Sequence, residues 1–304
     1  MKRIIILFVV IVMLAPSAVF AQMSSPQVYI ALGDSLAAGQ TPNREIDTGY
    51  TDLIAQRLKS KGQLGFYTKQ LAFPGYTVDN VLEGVRSDEA AKLLSSATLI
   101  TISAGANDLL SLVQANPNAG TLSFSQLSVD YVLNNVRKKM QTLLAELDER
   151  APMAEVYVVG YYFAYPYVHD AQKEGTKKQL ELLNAILKQE AELAGATFVS
   201  VYEDFGLDGK EYLPKSSDVH PNMEGYRVMA NAFLEEYTGN NAWAISTAEV
   251  PPPNPLTFEQ LLEMQKELDK ISEELEVKAK DGVAKIAPNF TLSYSDELIL
   301  TKKV

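Results

Sequence analysis

The sequence predicts an α/β fold in which a mainly parallel sheet is covered by helices on both faces. Five short apolar runs have the length and composition of buried strands, and longer segments with apolar residues every three to four positions lie between them. Strands that alternate with helices at this spacing are joined by right-handed crossovers, which make the sheet parallel and cover both faces. Ligands of such sheets bind at the carboxyl ends of the strands. We therefore expect the functional residues to follow the strands.

The five predicted strands are 27–32, 66–72, 98–103, 155–160 and 197–202. The first of them stops at Gly33, and the third stops at a polar turn that contains Gly105. Glycine permits the tight turns that larger residues resist at such strand ends.

Amphipathic helices are predicted between these strands, and a further helical region is predicted from about 78 to 95. Each helix has one apolar stripe, which is the face that packs on a sheet. The stripe residues are Tyr50, Leu53, Ile54 and Leu58; Val129, Val132, Val136, Met140, Leu143 and Leu147; Leu180, Leu183, Leu187 and Ala194; and Tyr226, Met229, Ala230, Phe233, Leu234 and Tyr237.

The first 21 residues have the features of a secretory signal peptide. Two basic residues precede the apolar run 4–14, and small side chains at Val19 and Ala21 predict cleavage after Ala21. The alternative is a retained membrane anchor, but eleven apolar residues are short for a hydrocarbon core of roughly 30 Å. We therefore expect a secreted protein with no stable membrane anchor after processing.

The main domain is predicted to span residues 22–250. After residue 250, a run of prolines interrupts the alternation of strands and helices. Residues 251–304 are interpreted as a stiff proline-rich linker and a C-terminal appendage. In the appendage, apolar residues from Phe258 to Leu275 form a helical stripe, and the short runs 290–294 and 298–300 have the pattern of paired strands. We expect the appendage to serve packing or partner binding and to carry no chemistry.

Composition excludes several classes of function. The chain has 304 residues, 47% hydrophobic and 21% charged, and a formal net charge of −11. Beyond the extreme N-terminus it has no Lys/Arg cluster, which argues against a nucleic-acid partner, because such binding draws on basic side chains that meet phosphates. No cysteine and only two histidines leave little for a zinc site and nothing for disulfides. We expect no metal or other cofactor.

Four residues at the strand ends and in one late loop have the chemistry of an acyl-transfer site. Ser35 follows the first strand and is a candidate nucleophile, and His220 is the better of the two histidines to remove its proton. The backbone N–H groups of Ser35 and Gly75 and the side-chain amide of Asn107 are candidate donors to an oxyanion.

The chain resembles the SGNH, or GDSL-type, family of serine hydrolases. The matching blocks are Gly33-Asp34-Ser35-Leu36, Gly75, Gly105-Ala106-Asn107-Asp108 and Asp218-Val219-His220-Pro221. The resemblance covers roughly residues 27 to 240, and four blocks in order are far more specific than one. It implies a flavodoxin-like three-layer α/β/α fold and cofactor-free ester hydrolysis through an acyl-enzyme. The implied catalytic residues are Ser35, Gly75, Asn107 and His220.

The chain departs from the family pattern at the acid that orients the histidine. The family usually has an aspartate three residues before the histidine, and Ser217 stands there in this chain. Asp218 lies two residues before His220, and Pro221 favours extended backbone at His220. In extended backbone, side chains two apart point to the same side, so Asp218 is our candidate. The alternative is a backbone carbonyl that orients His220.

An aromatic segment after the fourth strand predicts part of a substrate pocket. Its candidate lining residues are Tyr162, Phe163, Tyr165 and His169. His169 with Asp170 is the rival catalytic pair, but neighbouring side chains in extended backbone point apart. An aromatic wall suits either an acyl chain or the face of a sugar.

The sequence therefore predicts a secreted serine esterase acting on a small-molecule, lipid or glycan ester. The alternatives with the same site are a polysaccharide O-acetylesterase and a lysophospholipase. A non-catalytic binding protein that kept the fold is the alternative from another class. A panel of esters would distinguish the O-acetylesterase from the lysophospholipase. A serine-reactive probe would distinguish either enzyme from the non-catalytic binding protein.

Overall fold

The structure, a computed structural model, describes residues 25–257 together with 259, 260, 263 and 266. Its elements in chain order are β1 (Gln27–Gly33), α1 (Ser35–Ala38), α2 (Tyr50–Ser60), β2 (Leu64–Ala72), α3 (Val78–Arg86), α4 (Asp88–Ser96), β3 (Leu99–Ser103), α5 (Ala106–Leu110), β4 (Gln114–Asn116), β5 (Thr121–Ser123), α6 (Gln126–Arg150), β6 (Glu155–Val159), α7 (Asp170–Leu193), β7 (Thr197–Val199), α8 (Tyr202–Phe205) and α9 (Met223–Thr238). Two short 3₁₀ turns follow, at Asn241–Trp243 and Thr247–Glu249.

The central sheet has five parallel strands in the order β2-β1-β3-β6-β7, which confirms the predicted flavodoxin-like fold. The chain starts in the sheet at β1, adds β2 on one side and then crosses to add β3 on the other. The strand order therefore reverses between β1 and β3, which is where a crevice opens at the carboxyl edge of such a sheet.

The predicted stripes lie against this sheet, with one exception. The stripe residues of α2 are all buried, as are those of α9 apart from the half-buried Tyr237. In α7 the buried alanine is Ala191, whereas the predicted Ala194 caps the helix and is exposed. Ala194 follows the last residue of α7, so it does not join the buried face of the helix.

Two predicted boundaries were wrong. The helical region 78–95 divides at Ser87, whose backbone is extended and whose hydroxyl accepts a hydrogen bond from the N–H of Ala90. That cap starts α4 as a separate helix. The fifth strand ends at Val199, because Tyr202 already begins the short α8. Helix α5 and the β4–β5 hairpin, which lie between β3 and α6, were not predicted.

After α9 the chain crosses back over the domain. Ile245 is buried, and Arg57 in α2 forms an ion pair with Glu249 at 2.8 Å. The proline run then reaches Leu256, which pairs with Ile46 in an antiparallel bridge. The predicted signal peptide and the predicted strands 290–294 and 298–300 lie outside the described residues. Within the described part of the chain, no helix has the length and apolar character needed to cross a bilayer.

Gly33 holds the end of β1 against β3. Its φ is +138°, and a Cβ placed on it would lie 2.2 Å from the carbonyl oxygen of Ser103. That oxygen accepts a hydrogen bond from the N–H of Asp34 at 2.9 Å. No side chain larger than hydrogen fits here unless the two strands separate.

We expect Gly33→Ala to destabilise the protein by about 3 kcal/mol or more, because it adds an unfavourable φ to a backbone clash. Gly84→Ala is the matched control, since nothing lies within 4 Å of its added Cβ in α3. A helix-interior alanine should stabilise by about 0.5–1 kcal/mol. Urea unfolding followed by circular dichroism measures both, and equal stability of the two variants would contradict the close contact at Gly33.

Candidate active site

Ser35 lies at the carboxyl edge of the sheet, in the crevice between β1 and β3. It is the first residue of α1, and its side chain is 8% exposed. Its Oγ lies 2.8 Å from Nε2 of His220, which comes from the loop before α9. An imidazole nitrogen at this distance is in position to take the hydroxyl proton.

Asp218 holds the other side of the imidazole. Its Oδ1 accepts a hydrogen bond from Nδ1–H of His220 at 2.6 Å and another from the backbone N–H of His220 at 2.9 Å. Burial raises the pKa of Asp218, but these hydrogen bonds outweigh it and leave the pKa below its ordinary value. The carboxylate therefore stays ionised and can accept from Nδ1–H, the tautomer in which Nε2 can accept from the Ser35 hydroxyl. Ser217, in the family's usual acid position, is exposed.

Of the three candidate oxyanion donors, Ser35 and Asn107 line the same cleft, and Gly75 lies in the turn that Asn107 contacts through Tyr76. The N–H of Ser35 is in the first turn of α1, where a helix has no acceptor of its own. Gly75 lies in the turn after β2, and within the described residues its N–H donates to no other group. One hydrogen of the Asn107 amide donates to the carbonyl of Tyr76 at 2.9 Å, which leaves its second hydrogen available.

The turns that carry Gly75 and Asn107 are tied to each other. Besides the bond from Asn107 to Tyr76, Asp108 accepts a hydrogen bond from the N–H of Val78 at 3.1 Å. Burial raises the pKa of Asp108, while the bond from Val78 opposes this. Two adjacent residues of α5 are thus hydrogen-bonded to the segment that follows β2.

Asp34, the residue before the nucleophile, accepts hydrogen bonds that hold the start of α1 in place. This role was not predicted from the sequence. Its carboxylate is 1% exposed and accepts from the N–H of Leu36 at 2.9 Å and from the hydroxyl of Tyr161 at 2.6 Å. Burial raises the pKa of Asp34 to about 6, although both hydrogen bonds act in the opposite direction. The signal in the sequence was the capping position of an aspartate immediately before a helix.

Tyr162 contacts the loop of His220, and Tyr226 contacts the loop that carries Gln40. The hydroxyl of Tyr162 donates to the carbonyl of Val219 at 2.7 Å, and its ring stacks on Phe205 at a centroid distance of 4.2 Å. The hydroxyl of Tyr226 in α9 donates to the carbonyl of Gln40 at 2.6 Å. The amide nitrogen of Gln40 lies 3.4 Å from Nδ1 of His220.

A mostly apolar cleft of about 110 Å³ opens beside Ser35. Of the four predicted pocket residues, Tyr162, Phe163 and Tyr165 line it. Its other walls come from α5, the turn after α5 and α7, through residues that include Leu109, Leu110, Val113, Leu180 and Leu183.

His169 lies outside the lining of this cleft. It is exposed just before α7, and its N–H donates to the carbonyl of Gly120 at 2.9 Å. The β4–β5 hairpin, which the sequence did not predict, draws this residue away from Ser35. Asp170 pairs with Lys173 at 3.1 Å and does not contact His169 through its side chain. The rival pair therefore does not assemble.

The arrangement can carry out acyl transfer to a serine. A hydroxyl, a base and an orienting carboxylate form one chain of hydrogen bonds, and Asn107 lines the same cleft. Among residues 25–257, no group of three or more His, Asp or Glu side chains could hold a metal ion.

Comparison with known proteins places the chain among esterases and lipases. The model of the GDSL-like Lipase/Acylhydrolase family matches residues 31–228. The uncharacterized protein YpmR of Bacillus subtilis (strain 168) is 24% identical over 222 residues, which cover 68% of this chain and 80% of that protein.

Solved structures show the same fold. The lipase Lip_vut3 from a goat rumen metagenome has a TM-score of 0.56 at 20% identity, with 71% of this chain and 98% of that chain covered. The acetylxylan esterase Axe2 from Geobacillus stearothermophilus has a TM-score of 0.52 at 19% identity, with 73% and 98% covered. Phospholipase A1 from Streptomyces albidoflavus NA297 has a TM-score of 0.52 at 17% identity, with 71% and 100% covered.

The family match spans about two thirds of the chain and contains every block that sequence analysis quoted, from Gly33 to Pro221. This protein therefore belongs to the GDSL-like lipase/acylhydrolase family, whose members hydrolyse esters.

Proposed function

We propose that this protein is a secreted carboxylic ester hydrolase that forms an acyl-enzyme at Ser35. The observation that supports the proposal best is the unbroken chain of hydrogen bonds from Ser35 Oγ through His220 to Asp218, at 2.8 and 2.6 Å. A binding protein that merely kept the fold has no need of an aligned base and carboxylate. Secretion is supported by the basic, apolar and small-residue regions that precede position 22.

In the proposed reaction, Ser35 Oγ attacks the ester carbonyl while Nε2 of His220 takes its proton. The negative charge that develops on the carbonyl oxygen is met by the N–H groups of Ser35 and Gly75 and by the free amide hydrogen of Asn107. The imidazolium, stabilised by Asp218, then protonates the leaving alcohol. Water attacks the acyl-enzyme by the same route and releases the acid.

The cleft suggests which part of the ester is bound beside Ser35. Its walls are mostly leucine, valine, alanine and aromatic side chains, and α7 adds the polar residues Thr176 and Gln179. An apolar wall gains free energy from an acyl chain with several methylenes and little from an acetyl group. We therefore propose a medium-length acyl ester as substrate, with the polysaccharide O-acetylesterase and the lysophospholipase as outcomes that the following test distinguishes.

We expect a fluorophosphonate probe to label the full chain stoichiometrically and to leave Ser35→Ala unlabelled. The reason is that such probes react only with an activated serine. Ser35→Ala should keep its circular dichroism spectrum while ester turnover falls to background. Intact-protein mass spectrometry measures the labelling, and absence of labelling in the folded wild type would favour the non-catalytic alternative.

We expect Asp218→Asn to lower kcat by about 10³–10⁴, because Nδ1 then lacks the carboxylate that fixes its tautomer and stabilises its charge. Ser217→Ala is the matched control and should change kcat less than about tenfold, since this exposed serine has no contact with the imidazole. The comparison is made on folded enzyme at saturating ester. A loss below tenfold in Asp218→Asn would point to a Ser–His dyad instead.

We expect kcat/KM for p-nitrophenyl esters to rise about fourfold per methylene from acetate towards hexanoate. Each buried methylene contributes about 0.8 kcal/mol of transfer free energy. Initial rates below KM measure the series. A preference for acetate would support the O-acetylesterase, and high activity only on single-chain phospholipids would support the lysophospholipase.

A further inference from the structure

The residues that follow the main domain, 251–257, lie across the loop next to the active site, and we call them the strap. Proline has no backbone N–H, so the only N–H groups of residues 251–256 are those of Asn254 and Leu256. Both point at the domain. The N–H of Asn254 donates to Oδ2 of Asp47 at 2.9 Å, and that of Leu256 donates to the carbonyl of Ile46 at 2.8 Å.

The loop that receives the strap, residues 39–47, also ends the helix that carries the nucleophile. The N–H of Gln40 donates to the carbonyl of Ser35 at 2.9 Å, and the N–H of Gly39 donates to that of Leu36 at 3.2 Å. From the other end of the loop, the N–H of Asp47 donates to the carbonyl of Gly39 at 3.0 Å. Two hydrogen bonds, from Asn254 to Asp47 and from Asp47 to Gly39, thus connect the strap to the C-terminal cap of α1.

The same loop contacts the histidine side of the site. The carbonyl of Gln40 accepts from Tyr226, and its amide nitrogen lies 3.4 Å from Nδ1 of His220. The loop therefore touches both partners of the bond between Ser35 and His220. A shift of the loop would change the distance between them.

The loop has no room to adjust without moving α1. A Cβ on Gly39 would lie 2.4 Å from the carbonyl oxygen of Asp47 and 2.9 Å from the nitrogen of Gly49. Backbones this close move together, because packed interiors transmit displacement. A change at Asp47 therefore reaches Gly39 and the end of α1.

Asp47 depends on the strap for part of its hydrogen bonding. The residue is 9% exposed, and its carboxylate accepts from the N–H of Thr48 at 2.7 Å and from that of Asn254. Loss of the Asn254 N–H would leave a nearly buried carboxylate oxygen without that donor, which costs free energy. The Asp47 side chain would then tend to turn toward water.

We propose that the strap is a positioning element for the Ser35–His220 pair, acting through Asp47 and the loop 39–47. This inference rests on the proposed function for its catalytic consequence. It departs from the expectation that residues 251–304 serve only packing or partner binding. Asn254 and Leu256 are positioning residues in this scheme and contact no reacting atom.

The test uses the full chain with two matched double variants. Asn254→Pro with Leu256→Pro removes both strap N–H groups, whereas Asn254→Ala with Leu256→Ala truncates the same side chains and keeps both N–H groups. We expect kcat to fall at least tenfold in the proline pair, with KM changed less than threefold, and to stay within threefold of wild type in the alanine pair. Both are measured well below their unfolding temperatures.

A double-mutant cycle tests whether the loss of kcat in the proline variant acts through Asp47. Asp47→Ala removes the acceptor from the loop side, so adding Asn254→Pro to it should cause less than a twofold further loss. Additive losses would show that Asn254 acts by another route. A purely stabilising strap would lower the unfolding temperature of the proline pair and leave kcat intact, which would overturn the proposal.

Hydrogen exchange separates failure of this inference from failure of the proposed function. In the proline pair, amides of residues 39–47 should exchange at least tenfold faster than in the alanine pair, while those of β1 should not change. This readout does not depend on esterase activity. Unchanged exchange in residues 39–47 would refute the proposed role of the strap, even if the enzyme is active. Faster exchange in a protein that the fluorophosphonate does not label would refute the proposed esterase function alone.

Discussion

The contact on which the site depends is the close approach of β1 and β3 at their carboxyl ends. Gly33 lies against the backbone of Ser103, and that contact brings the two turns that follow within one crevice. One turn carries Ser35, and the other carries Asn107. Because the strand order reverses at this point, a crevice opens there, and the loop with His220 reaches into it. The topology of the sheet therefore brings Ser35, Asn107 and His220 together.

Much of this arrangement could be predicted from the sequence, because the relevant signals are local. A glycine after an apolar run marks the end of a strand, and the residues that follow it reach the same edge in every parallel strand. The placement of Ser35, Asn107 and His220 at one edge follows from that rule and from the order of the four blocks. The contact between Asp218 and His220 was expected from the preference for extended backbone before Pro221.

The features that escaped prediction depend on contacts between residues distant in the chain. The hydroxyl of Tyr161 reaches Asp34 across 127 positions, and nothing in the periodicity of either segment marks the pair. His169 was misplaced because the β4–β5 hairpin, with strands of three residues each, is too short to leave a clear alternation. The proline run was interpreted as a linker from its composition, while its docking depends on which two positions retain an N–H.

The direction of β1 has a practical consequence for handling the enzyme. This strand is seven residues long and runs from the amino edge of the sheet to Ser35, a distance of roughly 20 Å. The start of the described chain therefore lies on the side of the sheet opposite to the crevice. A bead, electrode or affinity resin coupled ahead of Gln27 would hold the molecule with its crevice facing the bulk solution. Immobilisation at this end should leave diffusion of an ester to the site unobstructed.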